Sequence, residues 1–212
     1  MANDEQEAPL SPAQRWEKQL AFIKEIDRLK SVYRRSYLLD QSRHDNDVEH
    51  SWHFAVMALL LAEHASGPVD VGKVIKMALI HDVVEIDSGD VFVYDIVDPQ
   101  ARHATERKAA ERIFGLLPAD QARELIALWE EFERRETPEA ILAAALDRLD
   151  PLLHNCFTQG KSWKEHGVTQ DQVVQINRRI GLAAPLLWER AHALILDAVE
   201  KGHLKKGPPG AR

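Results

Sequence analysis

A chain of 212 residues, 45% hydrophobic and 29% charged, has enough apolar material for one folded domain and enough charge to cover its surface. Its net charge of -7 argues against an extended nucleic-acid surface, which needs a basic face, and no run approaches the roughly 18 apolar residues that cross a bilayer. The single cysteine, Cys156, excludes an intrachain disulfide, and Met1 to Pro9 lack the charged-then-apolar pattern of a secretory signal; the expected setting is the cytoplasm.

Residues 1–10 read as a flexible N-terminus. Ser11-Pro12 then looks like an N-cap with proline at the first helical position, and Trp16, Leu20, Ile23, Ile26 and Leu29 recur at helical spacing. A polar interruption at 40–47 precedes a strongly apolar helix over about 48–65, which Ser66-Gly67-Pro68 ends. A third helix runs from near Val69 to His81-Asp82. Residues 85–98, acidic with Ser88-Gly89 in the middle, read as a functional loop. Helical patterns resume over 99–117, 118–135, 138–159 and 169–201, the first three opening on a proline, and Pro185 is placed to kink or split the last. No alternation is long enough to build a sheet. The expected fold is all-α: a single-domain helical bundle over 11–201, followed by a basic, flexible tail over 202–212.

Three of these segments carry histidine or carboxylate on or beside an apolar face. His50 comes one turn before Phe54, with Val56, Met57 and Leu60 beyond it; His81 and Asp82 directly follow Met77, Ala78, Leu79 and Ile80; Asp147 follows Ala143, Ala144, Ala145 and Leu146. Each alone has an ordinary reading, a packed histidine or an Asp147–Arg148 ion pair. Burying a carboxylate is nevertheless costly unless it is paired or bound to a cation, and one divalent ion would satisfy all four groups together. Two neutral imidazoles and two carboxylates make a nearly neutral site with coordination positions left for water and substrate. Manganese, cobalt, iron, nickel or zinc suits such donors, and magnesium is less natural with imidazoles.

Ordered as His50…His81-Asp82…Asp147, these residues resemble the HD-domain phosphohydrolase superfamily. The likeness is greatest to its 5′-deoxynucleotidase-like members. Arg43-His44-Asp45-Asn46-Asp47-Val48-Glu49-His50-Ser51 is similar to their Arg-x-Glu-Asn-x-x-Glu-His-Ser block, His81-Asp82-Val83-Val84-Glu85 with Gly89-Asp90 to their His-Asp-x-x-Glu…Gly-Asp block, and 145–149 to their last ligand helix. The resemblance implies that His50, His81, Asp82 and Asp147 hold one divalent metal ion and that Glu85 orients or deprotonates the attacking water. It places Asp90 near the sugar or leaving group and Arg35 against the phosphate, with Arg34 as the alternative in an uncertain register. Arg43 is a further phosphate candidate or a partner of Glu49. Ser36 stands where sugar-selective members have tryptophan, which leaves deoxy-versus-ribo preference open. The implied substrate is a small phosphorylated molecule, a nucleoside 5′-monophosphate, and the implied assembly a homodimer. The competing readings are another nucleotide phosphohydrolase of the superfamily, acting on cyclic nucleotides, alarmones or triphosphates, and a non-catalytic metal-stabilised helical binding protein.

Overall fold

The computed structural model describes residues 9–207. Helix α1 (Pro12–Ile26) opens on a capping box in which the Ser11 side chain accepts from the Gln14 backbone and Gln14 reaches back. A 3-10 turn (Asp27–Ser31) leads into β1 (Tyr33–Tyr37), which pairs antiparallel with β2 (His44–Asn46). This two-stranded sheet corrects the expectation of no sheet. Tyr-Arg-Arg-Ser-Tyr lacks an apolar alternation because its inward face, Arg34 and Ser36, meets a polar site rather than a core.

Asn46 caps α2 (Asp47–Leu61), its side chain accepting from the Glu49 backbone at 3.0 Å. Asp70 caps α3 (Val71–Ile80), which tightens into a 3-10 turn (His81–Val84) and then a single α-turn, α4 (Glu85–Ser88), stopped by Gly89 at φ 73°. After an irregular stretch come α5 (Pro99–Phe114), α6 (Ala119–Arg134) and α7 (Pro138–Phe157). Proline stands inside the first turn of α5 and α7 as expected, whereas Pro118 is the cap residue of α6. A short α8 (Lys161–Glu165) follows α7, and the helix expected over 169–201 is in three pieces, α9 (Gln170–Asn177), α10 (Ile180–Ala183) and α11 (Pro185–Glu200), with Pro185 making the second of the two breaks.

The larger core packs α2, α3 and α7 against α10 and α11 through Phe54, Met77, Leu142, Leu146, Ile180 and Ile195, all fully buried. Each such side chain contributes about 1.5–3 kcal/mol. A second cluster, Leu29, Val83, Val84, Ile113, Phe114 and Trp129, ties α5 and α6 to the turn after α3. His81 and Asp82 sit where the two clusters meet.

Of the expected tail, residues 202–207 are held down. Leu204 is buried, and the carbonyl of Lys205 accepts from the Gln170 backbone at 2.8 Å. Gly160 makes this possible: it has φ +66°, and a Cβ there would lie 2.0 Å from the His203 carbonyl oxygen. The rest of that expected tail, 208–212, and residues 1–8 of the expected flexible N-terminus lie outside the described residues.

Candidate metal centre

Helix periodicity builds the site from two facing stripes. On α2, His50, His53 and Phe54 follow the i, i+3, i+4 rule; on α7, Asp147, Asp150 and His154 do the same with i, i+3, i+7. The third wall is the tight turn at the end of α3, which delivers His81 and Asp82 together.

Four of the residues singled out in the sequence converge here, and all four are buried. His50 Nε2 lies 3.2 Å from Asp147 Oδ1 and 3.9 Å from Asp82 Oδ2; His81 Nε2 lies 3.1 Å from Asp82 Oδ1 and 3.6 Å from Asp147 Oδ1. Donors at about 2.1 Å around one octahedral ion stand about 3 Å apart when adjacent and about 4 Å when opposite. The observed separations fall within that range. The tautomers agree as well: His50 Nδ1 donates to Asp150 Oδ2 at 2.7 Å and His81 Nδ1 donates to the Ala78 carbonyl at 3.0 Å, so both Nε2 atoms face the centre. His81 Nε2 is shut off from solvent and has no hydrogen-bond partner. A buried lone pair with no donor opposite it is what a cation satisfies. The donor set therefore has the chemistry and spacing of a divalent-metal site.

Electrostatics add to this. Burial and Arg34 oppose a charge on His50, yet hydrogen bonds with Asp147 and Asp150 push it up to about 10. Burial alone would raise the Asp147 carboxyl, but Arg148, His50 and His81 outweigh it and hold the group well below the usual carboxylate range. Asp47 is pushed up to about 7 by burial and by Asp82. This acidic pocket draws positive charge from whatever source lies nearest.

The remaining residues divide. Glu85 is buried with Asp47 and Asp82, its Oε1 3.6 Å from Arg102 Nη2 and its Oε2 unpartnered. Burial, reinforced by Asp82, Asp47 and Asp90, raises its carboxyl well above the ordinary value. Asp90, partly buried, lines a small cavity with Arg34, Arg35, Ser36 and Arg148. Strand alternation turns the two arginines to opposite faces. Arg34 turns inward, its Nη1 2.7 Å from Asp82 Oδ2 and 3.2 Å from Asp47 Oδ1, while Arg35 stays exposed at the cavity's edge. Ser36 is buried behind it. Arg43 lies away from that cavity and makes a bidentate pair with Glu49 at 2.6 and 2.8 Å on the surface.

Sequence reasoning passed over Asp150, Asp47 and Arg102. Asp150 was legible in principle, as a second acid three residues after Asp147 on the same apolar face. Asp47 and Arg102 gave no such signal, because their roles depend on tertiary neighbours. Asp150 also lies 2.8 Å from His53 Nδ1, so its carboxylate ties two residues of α2 to α7.

An HD domain family model matches residues 26–188. The chain is similar to the crystal structure of a predicted metal-dependent phosphohydrolase from Magnetospirillum magnetotacticum MS-1, at 51% identity over 90% of this chain and 98% of that one, with a TM-score of 0.85. The chain belongs to the HD domain family. Among curated relatives it resembles 5′-deoxynucleotidase HDDC2 of Homo sapiens, 30% identical over 63% of this chain and 65% of the relative, and that of Danio rerio, 32% identical over 63% and 66%. The chain thus spans slightly less than two thirds of these relatives' length. Among the described residues no helix is long and apolar enough to cross a membrane.

Proposed function

We propose that this chain is a metal-dependent phosphohydrolase that releases phosphate from nucleoside 5′-monophosphates, with His50, His81, Asp82 and Asp147 as ligands of one divalent ion. The observation that carries the reading is the convergence of His50 Nε2, His81 Nε2 and Asp147 Oδ1, with the Asp82 carboxylate 3.1 Å from His81 and 3.9 Å from His50, and with His81 Nε2 left unpartnered. The HDDC2 relatives supply the substrate class and the first-row transition metals fit the donors. When bound, the ion acidifies a water and polarises a phosphoryl oxygen.

The protein's own groups do the rest. Glu85 holds a carboxylate oxygen free to accept a proton from the attacking water. Arg34, anchored between Asp47 and Asp82, offers its remaining N–H groups toward the phosphate, with Arg35 at the rim. Asp90 faces the sugar and leaving group, and Ser36 leaves room where a larger side chain would crowd a ribose 2′-hydroxyl. An apolar stripe on α2, Trp52, Leu59 and Leu60, each more than 60% exposed, supports a homodimer. The domain comprises 11–207, because Leu204 packs into its core and the Lys205 carbonyl accepts from Gln170, and the lone cysteine supports a cytoplasmic location.

A screen of released phosphate across mono-, tri- and cyclic nucleotides tests the reading. Turnover of 5′-monophosphates that disappears with chelation and returns with manganese or cobalt is the expected result. A stable, metal-loaded protein inert toward every phosphoester would overturn it.

Two further outcomes follow from the geometry. Asp150→Asn keeps the shape but weakens the brace on His50, so metal affinity should fall by about 10–100-fold with the fold intact; isothermal titration with manganese measures it. Unchanged affinity would remove Asp150 from the site's support. Among the described residues Arg34 is the one arginine or lysine that pairs with Asp47 and Asp82, whose side chains are 0% and 10% exposed, and Arg34→Gln strips it. The metal-free protein should lose about 3–5 kcal/mol in urea unfolding, and metal should restore part of it.

A further inference from the structure

On the other side of Asp147 lies a cleft of about 620 Å³ between α7, α9 and the turn before α10. Its polar lining is Gln175 and three arginines, Arg135, Arg148 and Arg179, with no carboxylate among its lining residues. In a chain of net charge -7 that is an unusual concentration of positive charge. Two of the three make no ion pair among the described residues: Arg179, and Arg135, which lowers the carboxyl of nearby Glu133 against the rise that burial causes, without bonding to it, and whose Nε is closed off from solvent without a hydrogen-bond partner. Arg148 reaches only to 3.8 Å from Asp147 Oδ2.

Why three guanidinium groups stand together is a question of what they lack. Like charges repel unless an anion sits between them, and planar guanidinium forks match phosphate oxygens two at a time. The floor of the cleft, Ile141, Ala144 and Ile176 with Leu182 at the edge, is apolar, as a pocket for a mixed ligand requires. We infer that Arg135, Arg148 and Arg179 form a second site, distinct from the metal centre, that binds a polyphosphate chain. The cleft's size leaves room for a nucleoside attached to that chain. Arg148 and Val93 line both this cleft and the small cavity beside Asp90, so an occupant here is in contact with the wall of the metal centre. This inference goes beyond the proposed hydrolysis and does not need it.

The test uses calorimetry on the full, metal-loaded chain with inorganic tripolyphosphate and, separately, a deoxynucleoside triphosphate, at a fixed free-metal concentration. Wild type is compared with the Arg135→Gln/Arg179→Gln double variant; both residues lie outside the metal centre. Circular dichroism and metal content confirm that the variant is folded and loaded, and Arg179→Gln alone, at an exposed position, is the fallback. The expected result is one ligand per chain for wild type and affinity lower by on the order of 100-fold in the double variant. Affinity for a nucleoside monophosphate should stay unchanged. Tighter binding of the nucleotide than of tripolyphosphate assigns the site to nucleotides; equal binding assigns it to the phosphate chain alone. Equal affinity of wild type and variant for both probes, or no binding of either, overturns the inference. Failure of the hydrolysis screen would leave these outcomes untouched.

Discussion

Asp147→Asn should yield a folded protein that has lost its metal. The substitution keeps size and shape on α7 but removes one of the two ligand charges, and neutral amide oxygen is a poor substitute beside two imidazoles. Affinity should fall by at least ~100-fold, beyond what loss of an outer partner costs, and phosphate release should fall with it. Helix content should persist, because Asp147 sits among Ala143, Leu146 and the buried face of α7, whose packing the change does not touch. Elemental analysis after gel filtration, alongside circular dichroism, checks both halves. Metal content equal to wild type would remove Asp147 from the ligand set.

Glu85→Gln separates chemistry from metal binding. Glu85 stands beyond the converging donors, beside Asp82 and Asp47, with Arg102 3.6 Å away and one oxygen unpartnered. Glutamine fills the same space and cannot take up a proton, so metal content should stay near wild type while kcat drops by about 10²–10⁴. KM should move little, since the lost interaction belongs to the transition state. Undiminished kcat would exclude Glu85 as the base. A loss of metal together with kcat would instead make it a ligand.

The contrast between these residues and their neighbours explains what the chain discloses before folding. Helices announce themselves because their apolar faces must be buried, so α2, α3 and α7 are readable from Phe54, Met77 and Leu146 onward. The four converging donors are readable for the same reason: a histidine or aspartate on such a face has no cheap alternative. The sheet of β1 and β2 is not, because its inner residues face polar groups and its outer ones face water. Arg34 and Arg35 are adjacent in sequence, and only the strand's two-residue period decides which one turns inward. Arg102 and the arginine cleft rest on contacts between distant helices, and a linear reading carries no trace of those. The break at Pro185 is legible as a break; the short helix before it, α10, follows from packing against α7.

The most direct test of the central claim is a crystal grown with manganese and mapped by anomalous scattering. The account predicts one strong peak within about 2.0–2.3 Å of His50 Nε2, His81 Nε2, Asp82 and Asp147. A peak held by other residues, or fully loaded protein with no peak between these four side chains, would contradict it.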